Sequence, residues 1–209
     1  PRSTLFPYTT LFRSEPGQRQ AVGLPLEQRN TGVEAMNPVY LETARVLAQV
    51  APIVLQRDVF ALKGGTAINL FLRDMPRLSV DLDLVLPDHT LSREQALVRI
   101  RDALNDSANK LRDLGFGVRI ASTDQATETK IFARRGGIEI KVEVNLVLRG
   151  VVHPVTNRSL MPRAQDTLQA DVEIPVASLE DVYAGKLVAA IDRKSTRLNS
   201  SPRTGSRMP

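Results

Sequence analysis

The chain has 209 residues, of which 42% are hydrophobic, and it contains no cysteine. This length suits one domain with a substantial core, and the lack of cysteine excludes disulfides, thiolate metal sites and a cysteine nucleophile. No apolar run is long enough for a transmembrane helix, and the N-terminus lacks the segment order of a secretory signal. We therefore expect a cytoplasmic protein with no membrane partner.

The net charge of +5 comes from the two ends of the chain. Residues 1–14 and 192–209 hold seven basic residues and one acidic residue, which leaves 21 basic and 22 acidic residues elsewhere. Residues 4–14 (TLFPYTTLFRS) resemble a translated sequencing-library adapter, and residues 192–201 (DRKSTRLNSS) resemble its translated counterpart. We interpret both ends as adapter-like artefacts, so the basic balance says nothing about partners.

The segment between the first end and Met36 has no recognisable periodicity, whereas a well-patterned region opens at Met36. We interpret residues 15–35 as a non-native leader and residues 36–191 as the natural domain. We also expect the natural reading frame to continue past Ile191, so that the domain is C-terminally truncated. Loss of the following helices would expose an apolar helix face, so we expect weak or absent activity and poor solubility.

The first half of the domain combines helical and strand patterns around a glycine pair. Apolar residues spaced by three and four predict a helix over residues 37–56, bent at Pro52. A short strand at 59–62 leads through Lys63-Gly64-Gly65-Thr66 into a helix at 67–73. Strict alternation then predicts a strand over residues 78–86.

The second half continues with the same two kinds of pattern. A helix is predicted over residues 92–114, with an interruption near 105–109, and a strand over residues 117–121. A β-hairpin of residues 129–134 and 138–148 follows, and then a loop-like stretch over 150–177 with strands near Val151 and Val172. Ser178 and Asp181 form a capping pattern for a helix through Ile191. The order predicts a mixed sheet flanked by helices.

Two acidic residues lie on the same face of one predicted strand. Asp81 and Asp83 are two residues apart, so their side chains point the same way and repel each other unless they share cations. Glu143, on the polar face of a later strand, is a third oxygen ligand if the strands are neighbours. Mg²⁺ takes few protein carboxylates and completes its shell with water and phosphates. The pattern therefore favours a two-metal site, although such acids are also typical of a solvated strand face.

The glycine pair has a matching interpretation. Bare backbone amides of Gly64 and Gly65 at the start of a helix can approach a triphosphate, and Thr66 adds a hydroxyl. Metals at the three acids would then activate an acceptor hydroxyl and stabilise departing pyrophosphate. Lys186, on the last helix, would offset phosphate charge. Taken alone, a glycine pair is more often only a turn and a helix lysine is more often solvated.

Four segments carry a resemblance to a known family: FALKGGTAINLFLRD (residues 60–74), MPRLSVDLDLV (75–85), IKVEVNLVLRG (140–150) and LEDVYAGKLVAAIDR (179–193). Together they resemble the AbiEii/AbiGii toxins, which include MenT-type enzymes, within the DNA-polymerase-β-like nucleotidyltransferase superfamily. The resemblance implies an α/β (α+β) polymerase-β-like core over residues 36–191. The family continues into an arginine-aspartate motif and further helices, and the adapter-like text stands where they would begin. Asp192 and Arg193 agree with both the family and the adapter.

The resemblance also implies roles for individual residues. Asp81, Asp83 and Glu143 match the metal-binding and catalytic acids, and Lys186 matches a lysine of both the catalytic and the nucleotide-binding set. The remaining residues of the implied nucleotide-binding set are Lys63, Gly64, Gly65, Thr66 and Ser79.

The implied activity is Mg²⁺-dependent transfer of a nucleoside monophosphate from an NTP to an acceptor, in a toxin–antitoxin or phage-defence system. Its partner would be an AbiEi-like antitoxin that need not touch the toxin. Some relatives add pyrimidine nucleotides to the 3′ end of tRNA, which makes tRNA one candidate acceptor. Because the natural core is nearly neutral, RNA would need a local patch. The candidates for it are Arg134, Arg135, Arg149, Arg158 and Arg163.

Two other interpretations remain open at this point. The enzyme could modify a small molecule, as antibiotic adenylyltransferases do. The chain could also be a non-catalytic binding module whose acidic residues are surface charge, in which case Asp81→Asn would leave NTP affinity and toxicity unchanged. The sequence does not identify the nucleotide, the acceptor or the oligomeric state.

Overall fold

A mixed seven-stranded sheet organises the chain in a computed structural model that describes residues 37–56, 59–122, 128–145 and 150–199. The residues 1–36 and 200–209, which include the first adapter-like end and the predicted leader, lie outside the described residues. The mixed α/β architecture predicted from the sequence is confirmed. None of the helices in the described part combines the length and apolar character needed to cross a membrane.

The four predicted helical segments are present, and two short helices, Gly64–Thr66 and Pro162–Leu168, are additional. They are α1 (Pro38–Val54), α2 (Gly64–Thr66) with a π-helix directly after it (Ala67–Leu72), α3 (Arg93–Asp113), α4 (Pro162–Leu168) and α5 (Leu179–Asn199). Asn37 caps α1, because its side chain accepts a 3.0 Å hydrogen bond from the amide of Val39. Ser92 and Gln95 form a reciprocal capping box at the start of α3.

The strands are β1 (Ala61–Lys63), β2 (Leu82–Val85), β3 (Gly117–Ser122), β4 (Glu128–Arg135), β5 (Ile138–Asn145), β6 (Thr156–Ser159) and β7 (Glu173–Val176). Their order across the sheet is β3-β4-β5-β2-β1-β7-β6. The pairs β2–β5 and β1–β7 are parallel, and the other neighbouring pairs are antiparallel. The two central strands, β1 and β2, are thus sequential in the chain and enclosed by strands from its second half.

The predicted strand at 78–86 is wrong in its first half, because β2 begins only at Leu82. Strand β1 pairs with β2 as far as Lys63 and Asp83, and the chain then enters a helix at Gly64. Residues 78–81 therefore have no strand partner on that side. Leu78 and Val80 still pack against the core, as the alternation predicted. Asp81 therefore lies immediately before the strand rather than within it.

The other differences concern helices. The predicted interruption near residues 105–109 is absent, because α3 is continuous there and buries Ser107 and Ala108. The loop-like region over 150–177 contains α4 and two strands, neither of them at Val151. Helix α5 continues past the predicted end at Ile191 to Asn199, since residues 192–199 contain neither proline nor glycine to interrupt it.

The core lies between the sheet and its helices. Helices α1 and α3 pack against each other and against strands β3, β4 and β5, while α5 packs beside α2 and the π-helix. Leu62, Leu82, Val142 and Ile131 are fully buried on successive strands. Alternate residues on these strands point to the opposite face, which leaves that face for polar side chains. Leu187 and Ile191 of α5 are 65% and 67% exposed.

Candidate active site

A glycine corner joins the end of β1 to α2. Gly64 has φ +79°, a left-handed conformation that favours glycine. A Cβ atom at Gly64 would lie 2.9 Å from Cγ of Asp83 and nearer still to its Oδ2, while one at Gly65 would lie 2.9 Å from Oγ of Ser79. The corner therefore requires glycine both for its backbone angle and for its close approach to the segment that carries the acids.

Thr66 links the corner to that segment from inside the protein. Its side chain is fully buried, and its hydroxyl donates to the backbone oxygen of Asp81 and lies 3.1 Å from Oγ of Ser79. The Thr66 hydroxyl is thus engaged within the fold rather than presented to solvent. The sequence interpretation gave Thr66 a direct role at a phosphate; the contacts describe a residue that fixes the position of Ser79 and Asp81 relative to the glycines.

Strand register aligns four charged residues in one row across the sheet. Lys63 pairs with Asp83, Asp83 with Glu143, and Glu143 with Lys130, on strands β1, β2, β5 and β4 in turn. Residues directly opposite one another on neighbouring strands share a face of the sheet. Glu143 therefore lies on the same face as Asp83, beside it on the parallel strand β5.

The ionisation of Asp83 reflects this crowding. Burial raises the pKa of Asp83, and repulsion from Asp81 raises it further. Burial lowers the pKa of Lys63, while the nearby charges of Asp83 and Glu143 act in the opposite direction. An additional cation at the acids would relieve the repulsion, whereas an isolated acid on a solvated strand face would show neither shift.

Glu143 is engaged by two lysines. Its carboxylate lies 2.8 Å from Nζ of Lys141 and 3.5 Å from Nζ of Lys130. The hydrogen bond from Lys141 is the main reason that the pKa of Glu143 lies below its usual value. Among the described residues, no three histidine or acidic side chains are gathered closely enough to hold a metal ion by themselves.

A cleft of about 290 Å³ opens over the corner and brings Lys186 to it. One wall carries the strand residues and glycines, and the other is helix α5. The lining residues are Lys63, Gly64, Gly65, Asp83, Glu143, Asn145, Asp181, Val182, Gly185, Lys186 and Ala189. The cleft thus collects most of the predicted site residues. Thr66, Ser79 and Asp81 are not in its lining, the first two because they lie behind the corner and support it.

Two polar residues of the cleft were not singled out from the sequence. Asn145 lies two residues after Glu143 on β5, so the same alternation that selected Glu143 indicates it. Asp181 was interpreted only as a capping residue. It does accept hydrogen bonds at the start of α5, but it also lines the cleft four residues before Gly185.

Asp181 fixes the start of α5 to a loop. Its carboxylate accepts hydrogen bonds of 3.0 Å from the amides of Val152 and His153 and from the hydroxyl of Ser178, whose oxygen in turn accepts from the amide of Asp181 at 3.1 Å. The predicted capping pattern is therefore present. Burial alone would raise the pKa of Asp181, but the hydrogen bonds from these amides lower it overall.

The candidate RNA-binding arginines do not form one patch. Arg134 and Arg135 end β4, whereas Arg158 lies on β6, five strand positions away, or roughly 24 Å at ordinary strand spacing. Arg135 is also occupied, because it contacts Gln49 and its guanidinium stacks 4.4 Å from the ring centre of Phe116. Of the other two candidates, Arg163 lies on α4, and Arg149 is outside the described residues.

Comparison with known proteins supports an enzyme rather than a binding module. A family model described as the nucleotidyl transferase AbiEii toxin of type IV toxin–antitoxin systems matches residues 45–203. The match covers the corner, the acid row and all of α5, and it includes part of the segment 192–209. No curated protein matches the chain. Since the match spans well over half of its length, the chain belongs to the AbiEii family of nucleotidyl transferase toxins.

Proposed function

We propose that the cleft between the glycine corner and α5 binds an NTP and transfers its nucleoside monophosphate to an acceptor hydroxyl. The observation that carries this proposal is the convergence of Gly64, Gly65, Asp83, Glu143 and Lys186 on one cleft. A family of nucleotidyl transferase toxins provides the reaction class. The geometry supports this class, because side-chain-free backbone and acidic groups lie next to each other in the cleft.

The residues fit divalent cations that are bound jointly with the substrate. Mg²⁺ takes one or two protein carboxylates and fills its other positions with water and phosphate oxygens. Asp81 and Asp83 are close enough for Asp81 to raise the pKa of Asp83, and Glu143 lies beside Asp83 on the next strand.

Each part of the cleft has a separate role. Gly64 and Gly65 line the cleft and carry no side chain of their own, so their backbone can approach the phosphates closely. Lys63 and Lys186 line the cleft on opposite walls and offset phosphate charge. Asp81, Asp83 and Glu143 hold the cations. Bound cations would lower the pKa of the acceptor hydroxyl and stabilise the charge that develops on pyrophosphate.

Ser79 and Thr66 act as positioning residues. Thr66 is buried and bonded to the backbone of Asp81, and Ser79 abuts Gly65. Together they keep the acids at a fixed distance from the phosphates, and in-line attack is sensitive to such distances.

We propose RNA, with the 3′ end of tRNA as the first candidate, as the acceptor, and the cytoplasm as the place of reaction. The support is the family membership and a cleft that opens to solvent beside the acids. The family also implies a cognate antitoxin. From the resemblance we expect an AbiEi-like antitoxin that need not bind the toxin directly.

The test incubates the chain with each of the four α-labelled NTPs, Mg²⁺, and either total tRNA or an aminoglycoside. We expect label in RNA, loss of that label with EDTA, and a decrease of at least about 100-fold for Asp83→Asn. Asp102→Asn is the matched control, because Asp102 is an exposed acid paired with Arg101 on α3, away from the cleft. Label in the aminoglycoside alone would replace RNA by a small-molecule acceptor. Equal labelling by both variants would overturn the proposed site.

A further inference from the structure

Lys141 lies among the three acids to which the proposed function assigns metal binding. Its Nζ is 2.8 Å from the carboxylate of Glu143 on the same strand, two residues away. It precedes Val142, whose partner on β2 is Leu82, so continuation of the parallel register places Lys141 beside Asp81. The hydrogen bond with Glu143 raises the pKa of Lys141, and the charges of Asp81 and Asp83 raise it further.

The carboxylate of Glu143, which would bind the metal, is already paired with two lysines. With Lys141 at 2.8 Å and Lys130 at 3.5 Å, both near the carboxylate, its oxygens already have cationic partners. Lys141 is 38% and Glu143 is 22% exposed, so the pair is accessible to an incoming ion and is not locked in the core. A divalent cation and the Lys141 ammonium would compete for the same negative charge.

We infer that Lys141 is the resident counter-cation of the acid row, which a divalent cation must displace from Glu143 before the site is complete. This inference rests on the proposed role of Asp81, Asp83 and Glu143. Lys141 is then a positioning residue, because in the metal-free protein it neutralises the acids and holds Glu143, and it thereby sets the apparent affinity for the metal. An ordinary surface ion pair would have no influence on metal binding.

The experiment is a calorimetric titration of the full chain with Mn²⁺, without nucleotide. We expect Lys141→Met to bind Mn²⁺ about fivefold more tightly than the wild type, since removal of one half-exposed positive charge favours a cation at this distance. Lys141→Arg keeps the charge and is expected to bind like the wild type. Lys110→Met is the matched control, because Lys110 lies on α3 and contacts Gln56, far from the acids.

A second measurement compares stability without and with the metal. Thermal unfolding in EDTA should show a lower midpoint for Lys141→Met than for the wild type, and saturating Mn²⁺ should close that gap. Equal or weaker Mn²⁺ affinity of Lys141→Met would overturn the inference. If Asp83→Asn abolished Mn²⁺ binding in the same series, the proposed metal site would stand, and only the role of Lys141 would be wrong. Absence of Mn²⁺ binding in both the wild type and Lys141→Met would overturn the inference. The proposed metal site, which the nucleotide completes, is tested separately by the EDTA sensitivity of nucleotide transfer.

Discussion

Replacement of Gly64 by alanine tests whether the glycine corner positions the acids. The new Cβ would meet Asp83, and the backbone would have to keep φ +79°. A left-handed conformation costs a residue other than glycine about 1–2 kcal/mol, and displacement of Asp83 from its rotamer adds about 0.5–1.5 kcal/mol. We therefore expect Gly64→Ala to lower the free energy of unfolding by about 1.5–3.5 kcal/mol.

Gly137→Ala separates the two costs. Gly137 has φ +83°, almost the same angle, but a Cβ atom there would have no neighbour within 4 Å. Equilibrium urea unfolding followed by circular dichroism should thus give a smaller loss for Gly137→Ala, by about 0.5–1.5 kcal/mol. Nucleotide transfer should fall about 100-fold in Gly64→Ala alone, since Asp83 is displaced. Equal stability losses combined with normal transfer by Gly64→Ala would refute the argument that the close approach to Asp83 matters.

Three further substitutions probe the ionisation and the helix starts. Burial raises the pKa of Asp83 in the folded chain, so the stability that its protonated form contributes is complete below the unfolded pKa and is lost as the pH rises through the folded pKa. Asp83→Asn should therefore be more stable than the wild type at pH 8 but not at pH 3. Urea titrations without metal at the two pH values measure this difference. Asp181→Ala should lower the free energy of unfolding by about 2 kcal/mol through loss of the bonds to Val152 and His153. Burial raises the pKa of Asp181, but those bonds lower it overall, so the stability difference between Asp181→Ala and the wild type should shrink as the pH falls through the lowered pKa. A stability difference that does not change with pH would contradict this prediction. Ser92→Ala should cost about 1 kcal/mol through loss of its bond in the cap of α3, which lies away from the cleft, and should leave nucleotide transfer unchanged in the labelling assay.

Alternation in the sequence predicted which side chains share a face, but it did not predict which strands are neighbours. The pattern around Asp83 and around Glu143 gave each its polar face, and the resemblance linked them. Their pairing in register on β2 and β5 depends on the parallel arrangement of two strands that are far apart in the chain. A periodicity of two carries no information about such a partner.

The elements that sequence patterns missed have local physical reasons. Helix α4 has only seven residues and starts with Pro162, so it offers too short a window for a helical periodicity. The π-helix after α2 closes with a bond from the amide of Arg73 to the oxygen of Ile68, a spacing that apolar patterning does not distinguish from an α-helix. One lysine partner of Glu143 is indicated by the sequence, because Lys141 lies two residues before it on the same strand and so shares its face.

The charge balance of the cleft favours a nucleotide that arrives together with its cations. In the row across the sheet, Lys63 and Lys130 balance Asp83 and Glu143, and Lys141 balances Asp81. The strands thus present a neutral set of charges, and α5 adds one positive charge at Lys186 and one negative charge at Asp181. One lysine cannot offset the several negative charges of a triphosphate in a partly buried cleft. Divalent cations would supply the missing positive charge, and the phosphates would complete the coordination of the cations. Nucleotide and metal should therefore each bind more tightly when the other is present, and by the same factor.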